Sequence, residues 1–332
     1  MSADPTPLLL HPILMDKVWG GRRLARYGKD IPAGRLIGES WEVADLAATS
    51  AGGGGGNAAR SIIEQGALAG ATLHEALSAW GQDLLGEAPP SDSGGFPLLV
   101  KFLDARENLS VQVHPSPRFS RLHAWAHLKT ECWYIVEAEQ GSVIYKGFKP
   151  GVGPADLAAG VRANTVVDLL NAVPAVAGDC HFLPSGQCHA LGAGVLVAEV
   201  QTPSDTTFRV YDWGRVGREL HVEEALECMS FDPCPAATRC GDGAGIFPLV
   251  RNEYFDVDAV RAGPDPVAAG DGCSVWMSIS ARAHVQYGAQ AGMAIEIYPG
   301  STFIVPAACA RATTITAQPD GVFIRASLAA RE

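Results

Sequence analysis

In the segment LSVQVHP, residues 109–115, Gln112 and His114 stand two residues apart. On a strand this spacing puts both side chains on one face, with Cα atoms roughly 6–7 Å apart. Leu109, Val111 and Val113 take the other face, which suits a core; the polar face needs a reason. Glu131 in KTECWYIV and His189 after the turn PSGQ bring a carboxylate and a second imidazole. Two imidazoles, a carboxylate and an amide oxygen suit a borderline divalent ion such as Zn2+, with room left for a water or substrate oxygen. Taken singly, each residue has an ordinary explanation, since strand histidines are commonly structural and strand glutamates commonly solvated. Only their joint occurrence points to a metal.

Other polar residues extend the pattern. In GVLVAEVQ, Val195, Val197, Glu199 and Gln201 share one strand face. Glu199 is either a solvated edge residue or an acid/base group turned inward. Lys129 shares the face of Glu131, and Lys101 precedes the turn that leads to Gln112; either could supply positive potential or handle protons. Arg209 and Arg215 frame RVYDWGR. Arginines usually lie on the surface, but their planar fork also suits a phosphate. Asp205 and Thr206 either tie their loop by local hydrogen bonds or contact a ligand. Trp19, Trp41, Trp133 and Trp213 read as core or cavity wall. Cys132 should face the core, opposite Glu131, and Cys188 should point away from the neighbouring His189.

The elements that position these residues are short. The chain has 332 residues, 47% hydrophobic and 18% charged, with 37 glycines and 22 prolines. This composition fits a folded, β-rich chain with many turns. The net charge of −11 and the lack of a basic run argue against general nucleic-acid binding. No apolar run approaches the ~18–20 residues that span a bilayer. None of the eight cysteines forms CxxC, and MSADPTPLLLHP lacks the parts of a secretion signal. A cytoplasmic protein with free thiols is expected, and the sequence does not choose between a monomer and a homodimer.

Helices are expected over 72–86, within 152–171 and in ELHVEEALECM, with strands and hairpins elsewhere. The glycine run at 51–60 reads as a flexible surface connection. GDCHFLPSGQCH from Gly178 echoes GSTFIVPAACAR from Gly300, with a proline six residues after each glycine. Where the first copy has His189, the second has Arg311. The expected fold is mainly β: two jelly-roll or β-barrel units with a few short helices and a metal site in the first alone. The boundaries are residues 1–230, a linker at 231–245, and a second, degenerate β unit at 246–332.

VWGGRRL, IGESWEVAD, FPLLVKFLDARENLSVQVHP, KTECWYI and GQCHALGAGVLVAEVQTPSDTTFRVYDWGR together span roughly residues 11–215. In content and order they resemble the class I mannose-6-phosphate isomerases, a cupin family, in its compact bacterial form. Ser116 and Pro117 depart from the acidic pair common after the metal histidine in that family. The resemblance implies one Zn2+ per chain on Gln112, His114, Glu131 and His189, and a sugar-phosphate substrate. It implies interconversion of mannose 6-phosphate and fructose 6-phosphate by proton transfer through an enediolate. Glu199 would be the base, Lys129 or Lys101 its partner, and Arg209, with Arg215, the phosphate holder. A Fe2+-dependent cupin oxygenase and a non-catalytic sugar-binding cupin are the rival readings.

Overall fold

The two faces of Val111–Val113 set the order of the layers. The computed structural model describes residues 4–50, 53–288 and 294–329, and all of its named strands pair antiparallel. Sheet I has five strands in the order Leu170–Pro174, Val143–Phe148, His189–Leu191, Val111–Val113 and Phe208–Tyr211. Val111 and Val113 turn outward and pack with Phe119, Leu157 and Ala225 of the helices Pro117–Leu122, Pro154–Ala163 and Val222–Cys228. Gln112 therefore faces the opposite way.

On that inner side Ile144 and Leu191 meet Leu103, Trp133, Ile135, Val195 and Val197 of sheet II. The core strands of sheet II are Asp179–Leu183, Glu131–Ala138, Val195–Gln201 and Leu99–Ala105, followed by Ile13–Gly21 and Ile37–Val43. Alternation then sends Val100, Phe102, Cys132, Leu196 and Ala198 to the other face. There they pack with Val257, Val275, Met277 and Ile324 of sheet III, whose strands run in the order Gly245–Arg251, Phe255–Arg261, Val322–Leu328, Ser274–Ser278, Thr302–Val305, Leu8–His11 and Ile62–Gln65. The far face of sheet III, with Trp276, Phe303 and Phe323, closes on Val285, Ile295, Ile297 and Ile315 of the four-stranded sheet IV. The chain is thus mainly β, with four stacked sheets, the three helices just named on one outer face, and Leu73–Trp80 and Gln82–Leu85 packed against the core shared by sheets II and III.

The strand pairing crosses the boundary expected from the sequence. Leu8–His11 lies in sheet III, with Leu8 opposite Ile304 on one side and Leu10 opposite Ile63 on the other. Leu8 is fully buried, so these strands are part of the second sandwich rather than a decoration of it. Division at 231–245 stands as our proposal, with this strand lent across it.

Local signals account for the helices. Thr72 and Glu75 form a reciprocal capping box at the start of Leu73–Trp80. Gly81, at φ +50°, breaks the run before Gln82–Leu85. The helix expected within 152–171 is shorter: Asn164, at φ +62°, ends it, and Leu170–Pro174 is strand. The internal echo holds as far as the proline. Asp179–Leu183 and Thr302–Val305 are both strands, but Pro306 leads into the short helix Ala307–Ala310, and Arg311 pairs with Asp271 at the surface. No helix among the described residues is long and apolar enough to cross a membrane.

His181, opposite Trp133 in sheet II, carries a testable pH effect. Burial, then Lys146, lowers its imidazole from 6.5 to about 4, against the pull of Asp179. The unfolded chain takes the proton first as pH falls. Stability should therefore be complete above pH 6.5 and decline toward pH 4. His181→Gln should flatten that acid limb in urea titrations; a limb of unchanged steepness would assign it to other groups.

Candidate active site

His114, Glu131 and His189 reach the space between sheets I and II from three separate strand ends. All three are essentially inaccessible to solvent. His189 Nε2 lies 3.2 Å from Glu131 Oε1, and His114 Nε2 lies 3.4 Å from Glu131 Oε2. The Gln112 amide is 3.4 Å from His189 Nε2, its strand neighbour across sheet I. The four residues singled out in the sequence therefore converge.

The two imidazoles are oriented from behind. His114 Nδ1 faces the Thr206 carbonyl at 3.0 Å, and His189 Nδ1 faces the Gln187 carbonyl at 2.9 Å. A carbonyl only accepts, so each ring donates from Nδ1 and turns its Nε2 edge toward Glu131. Glu131 has an ion partner but no well-aligned hydrogen bond on either carboxylate oxygen. Lys129 Nζ lies 2.8 Å from Glu131 Oε2 and 3.1 Å from His114 Nε2. Burial opposes the charge on Glu131, yet Lys129 and His114 hold its carboxyl well below the usual range. Burial and Lys129 push His114 down to about 3, so it is neutral. A neutral His114, a second imidazole held from behind and an ionised carboxylate whose ion partner is Lys129 are a donor set that fits a divalent cation.

Above this floor lies a cavity of about 610 Å³. Strand register builds its walls. Across sheet II, Trp41, Lys101, Glu199 and Trp133 stand in one row. Across sheet I, Arg209, Gln112 and His189 form another. Glu199 is 2% exposed; its Oε2 accepts from Trp133 Nε1 at 2.8 Å, while Oε1 has no hydrogen-bond partner. Burial and the charge of Glu131 raise its carboxyl above the usual value, opposed by Lys101 and Lys129. Lys101 Nζ stands 3.4 Å from Glu199 Oε1 and 3.4 Å from Glu39 Oε2.

Glu39 and Lys17 also line the cavity, and the sequence reading passed over them. Glu39 pairs with Lys17 at 3.2 Å and accepts from Trp41 Nε1 at 2.7 Å. Burial works against its charge, but the two lysines hold its carboxyl well below the usual range. Extending the alternation of Trp41 and Val43 back by two residues would have placed Glu39 on the cavity face. The glycine run also lies differently from expectation. Asp205 accepts from Ser50 N, Ser50 Oγ and Gly54 N at 2.7, 2.9 and 3.1 Å, and Ser50, Gly53 and Asp205 line the cavity. A Cβ on Gly53 would stand 2.4 Å from Asp205 Oδ2, so this approach requires glycine. Ala51 and Gly52 lie outside the described residues.

Arg209 lines the cavity, donates from Nη1 to the Glu219 carbonyl at 2.7 Å, and leaves its buried Nε without a partner. The structure does not bring Arg215 to the cavity wall. Its Nη2 donates to Asp212 Oδ1 at 2.6 Å and to the Asn108 carbonyl at 2.8 Å. Arg218 lines the wall instead. Trp41 and Trp133 are cavity wall, whereas Trp213 donates to the Leu109 carbonyl at 2.6 Å. Cys132 and Cys188 are buried in the apolar layers on either side.

A two-histidine, one-carboxylate cluster beside a cavity between antiparallel sheets is a candidate metal site in a cupin-type fold. The chain belongs to the type I phosphomannose isomerase family. Residues 8–144 match the model of the phosphomannose isomerase type I catalytic domain. The chain is 37% identical over 260 residues to a mannose-6-phosphate isomerase of Streptococcus mutans, covering 76% of this chain and 77% of that one. It is 35% identical over 235 residues to mannose-6-phosphate isomerase ManA of Bacillus subtilis, covering 69% and 70%. The crystal structure of the mannose 6-phosphate isomerase from Bacillus subtilis matches with a TM-score of 0.84 at 28% identity, over 98% of this chain and 100% of that one. The apo structure of the Salmonella typhimurium mannose 6-phosphate isomerase shares the fold, with a TM-score of 0.72 at 17% identity over 98% and 100% of the two chains.

Proposed function

We propose that this chain interconverts mannose 6-phosphate and fructose 6-phosphate, with one Zn2+ held by Gln112, His114, Glu131 and His189. The observation that carries this reading is the convergence of His114 Nε2 and His189 Nε2 on the two carboxylate oxygens of Glu131, beside Gln112 and Lys129 of a cavity wall that also holds Glu199 and Arg209. A bound ion would supply positive charge against the negative charge that develops on the sugar's first two oxygens.

The protein's own groups do the rest. Arg209 binds the phosphate and so fixes where the first two carbons lie. Glu199 Oε1 takes the proton from carbon 2 and returns it to carbon 1. Its raised affinity for protons brings the carboxylate closer to the strength a general base needs. Trp133 Nε1 holds the other oxygen and fixes the direction of Oε1. Lys101 balances the charge of Glu199 and is itself held by Glu39. Lys129 stands against the metal donors and supplies positive charge where the sugar's oxygens approach.

A coupled assay of the purified chain with mannose 6-phosphate, run beside elemental analysis, tests the reading. Turnover with about one zinc per chain is expected; sugar binding without turnover would favour the non-catalytic cupin. Arg209→Ala should lower kcat/KM by roughly 10²-fold, as expected for a lost charge-assisted phosphate contact. Its metal content should stay unchanged. Loss of metal in that variant would overturn the division of roles.

A further inference from the structure

The segment that joins His114 to Glu131 carries an aromatic cluster at the edge of the cavity. Ser116 Oγ accepts from Phe119 N and starts the helix Pro117–Leu122, which buries Phe119. His123 stacks on Phe119 with ring centres 4.1 Å apart. A turn closed by Ala126 N on the His123 carbonyl then presents Trp125. Its indole meets Phe119 and Phe208 edge to face, each at 5.9 Å, with planes 88° and 77° apart. His123 stands at 5.9 Å and 61°. Three rings thus fix the direction of the indole, and none of them lies flat upon it. Trp125 lines the cavity and is nevertheless 59% exposed.

The other tryptophans of the wall are already occupied. Trp19, Trp41 and Trp133 are buried. Trp41 and Trp133 spend their N–H groups on Glu39 and Glu199, and Lys101 Nζ sits 4.9 Å above the Trp41 ring. Much of the remaining wall is polar: Lys17, Glu39, Ser50, Lys101, Asp205 and Thr206 all line it. Such groups suit hydroxyls. A sugar ring also has faces made of C–H bonds, and these need a flat apolar surface. Among the described residues, Trp125 is the tryptophan of the wall that keeps one open. The neighbouring Leu122 is as exposed but does not reach the cavity, so the indole's place on the wall favours a ligand of the cavity over a second chain.

We infer that Trp125 is the platform on which the closed ring of the sugar phosphate lies, one C–H face against the indole. The assignment rests on the isomerase reading and adds to it the form of sugar that is recognised. An open chain offers no such face, so the platform selects the pyranose ahead of ring opening.

The test is steady-state kinetics on the holoenzyme with three inhibitors: anhydromannitol 6-phosphate, whose pyranose ring cannot open, mannitol 6-phosphate, which has no ring, and inorganic phosphate. Trp125→Ala should raise KM for mannose 6-phosphate and weaken inhibition by the closed-ring analogue by roughly 10-fold, the range for a lost stacking contact. Inhibition by mannitol 6-phosphate and by phosphate should move less than about twofold, kcat should fall far less than KM rises, and zinc content should hold. Trp125→Phe, which keeps a flat ring, should recover most of the loss. Equal weakening of all three inhibitors would overturn the platform by making Trp125 structural. Unchanged inhibition by the closed-ring analogue would overturn it as well, and if a wild-type dimer also fell apart in Trp125→Ala, the indole would belong to an interface between copies. If the wild-type chain does not isomerise mannose 6-phosphate, the isomerase reading fails by itself. Calorimetry of anhydromannitol 6-phosphate then decides the platform, which requires binding to wild type and roughly 10-fold weaker binding to Trp125→Ala.

Discussion

His189→Ala is expected to strip zinc from the protein and to abolish turnover, a loss of at least roughly 10³-fold, since a charge-stabilising ion is worth several kcal/mol. The imidazole does two things: it presents Nε2 3.2 Å from Glu131 Oε1, and it takes its direction from the Gln187 carbonyl. Alanine removes the donor but not the fold, because Glu131 keeps Lys129 at 2.8 Å as a counter-charge. Circular dichroism should match wild type while elemental analysis finds the metal gone. Chelation of the wild-type chain should reproduce the loss and added zinc should reverse it, whereas zinc should not rescue the variant. Full turnover by a metal-free preparation would remove the basis of the proposed chemistry.

Glu199→Gln is expected to lower kcat by ~10²–10⁴-fold, the range for a lost general base. The swap keeps shape, and the amide oxygen can still accept from Trp133 Nε1. Lys101 still has Glu39 at 3.4 Å, so no buried ammonium is left without a counter-charge. Zinc content and KM should therefore stay close to wild type. That combination separates Glu199 from the metal donors, whose loss removes the ion, and from the arginines, whose loss raises KM. A kcat within tenfold of wild type would move the proton transfer to another group.

Strand alternation carried most of what could be read ahead of the structure. It put Gln112 and His114 on one face, Val111 and Val113 on the other, and Glu131 opposite Cys132, and the layers follow that pattern. Alternation is local, so it survives without knowledge of which strands pair. Contacts set by loops did not show in the same way. Arg215 and Arg218 are both arginines on one loop, and only the path of that loop turns one to Asn108 and the other to the cavity. The glycine run carried no side chain to announce a partner. Its backbone N–H groups find Asp205 some 150 residues away. Lys17 and Glu39 lie on neighbouring strands, and alternation alone reaches Glu39, but only the register with the distant strand Leu99–Ala105 adds Lys101 and completes the alternating row of charges. The pairing of Leu8–His11 with Thr302–Val305 was equally hidden, because apolar residues state that they are buried but not against what.

That last pairing governs how the molecule must come into being. Leu8–His11 is synthesised long before Thr302–Val305, and it has no other partner on that side with which to bide its time. Until residues 245–328 emerge, Val100, Phe102, Leu196 and Val200 have no opposing layer, and the half-made chain shows water the flat apolar back of its future catalytic half. Closure between such distant segments is slow. The nascent protein is therefore most vulnerable to aggregation at a stage when all four proposed metal donors have already been made.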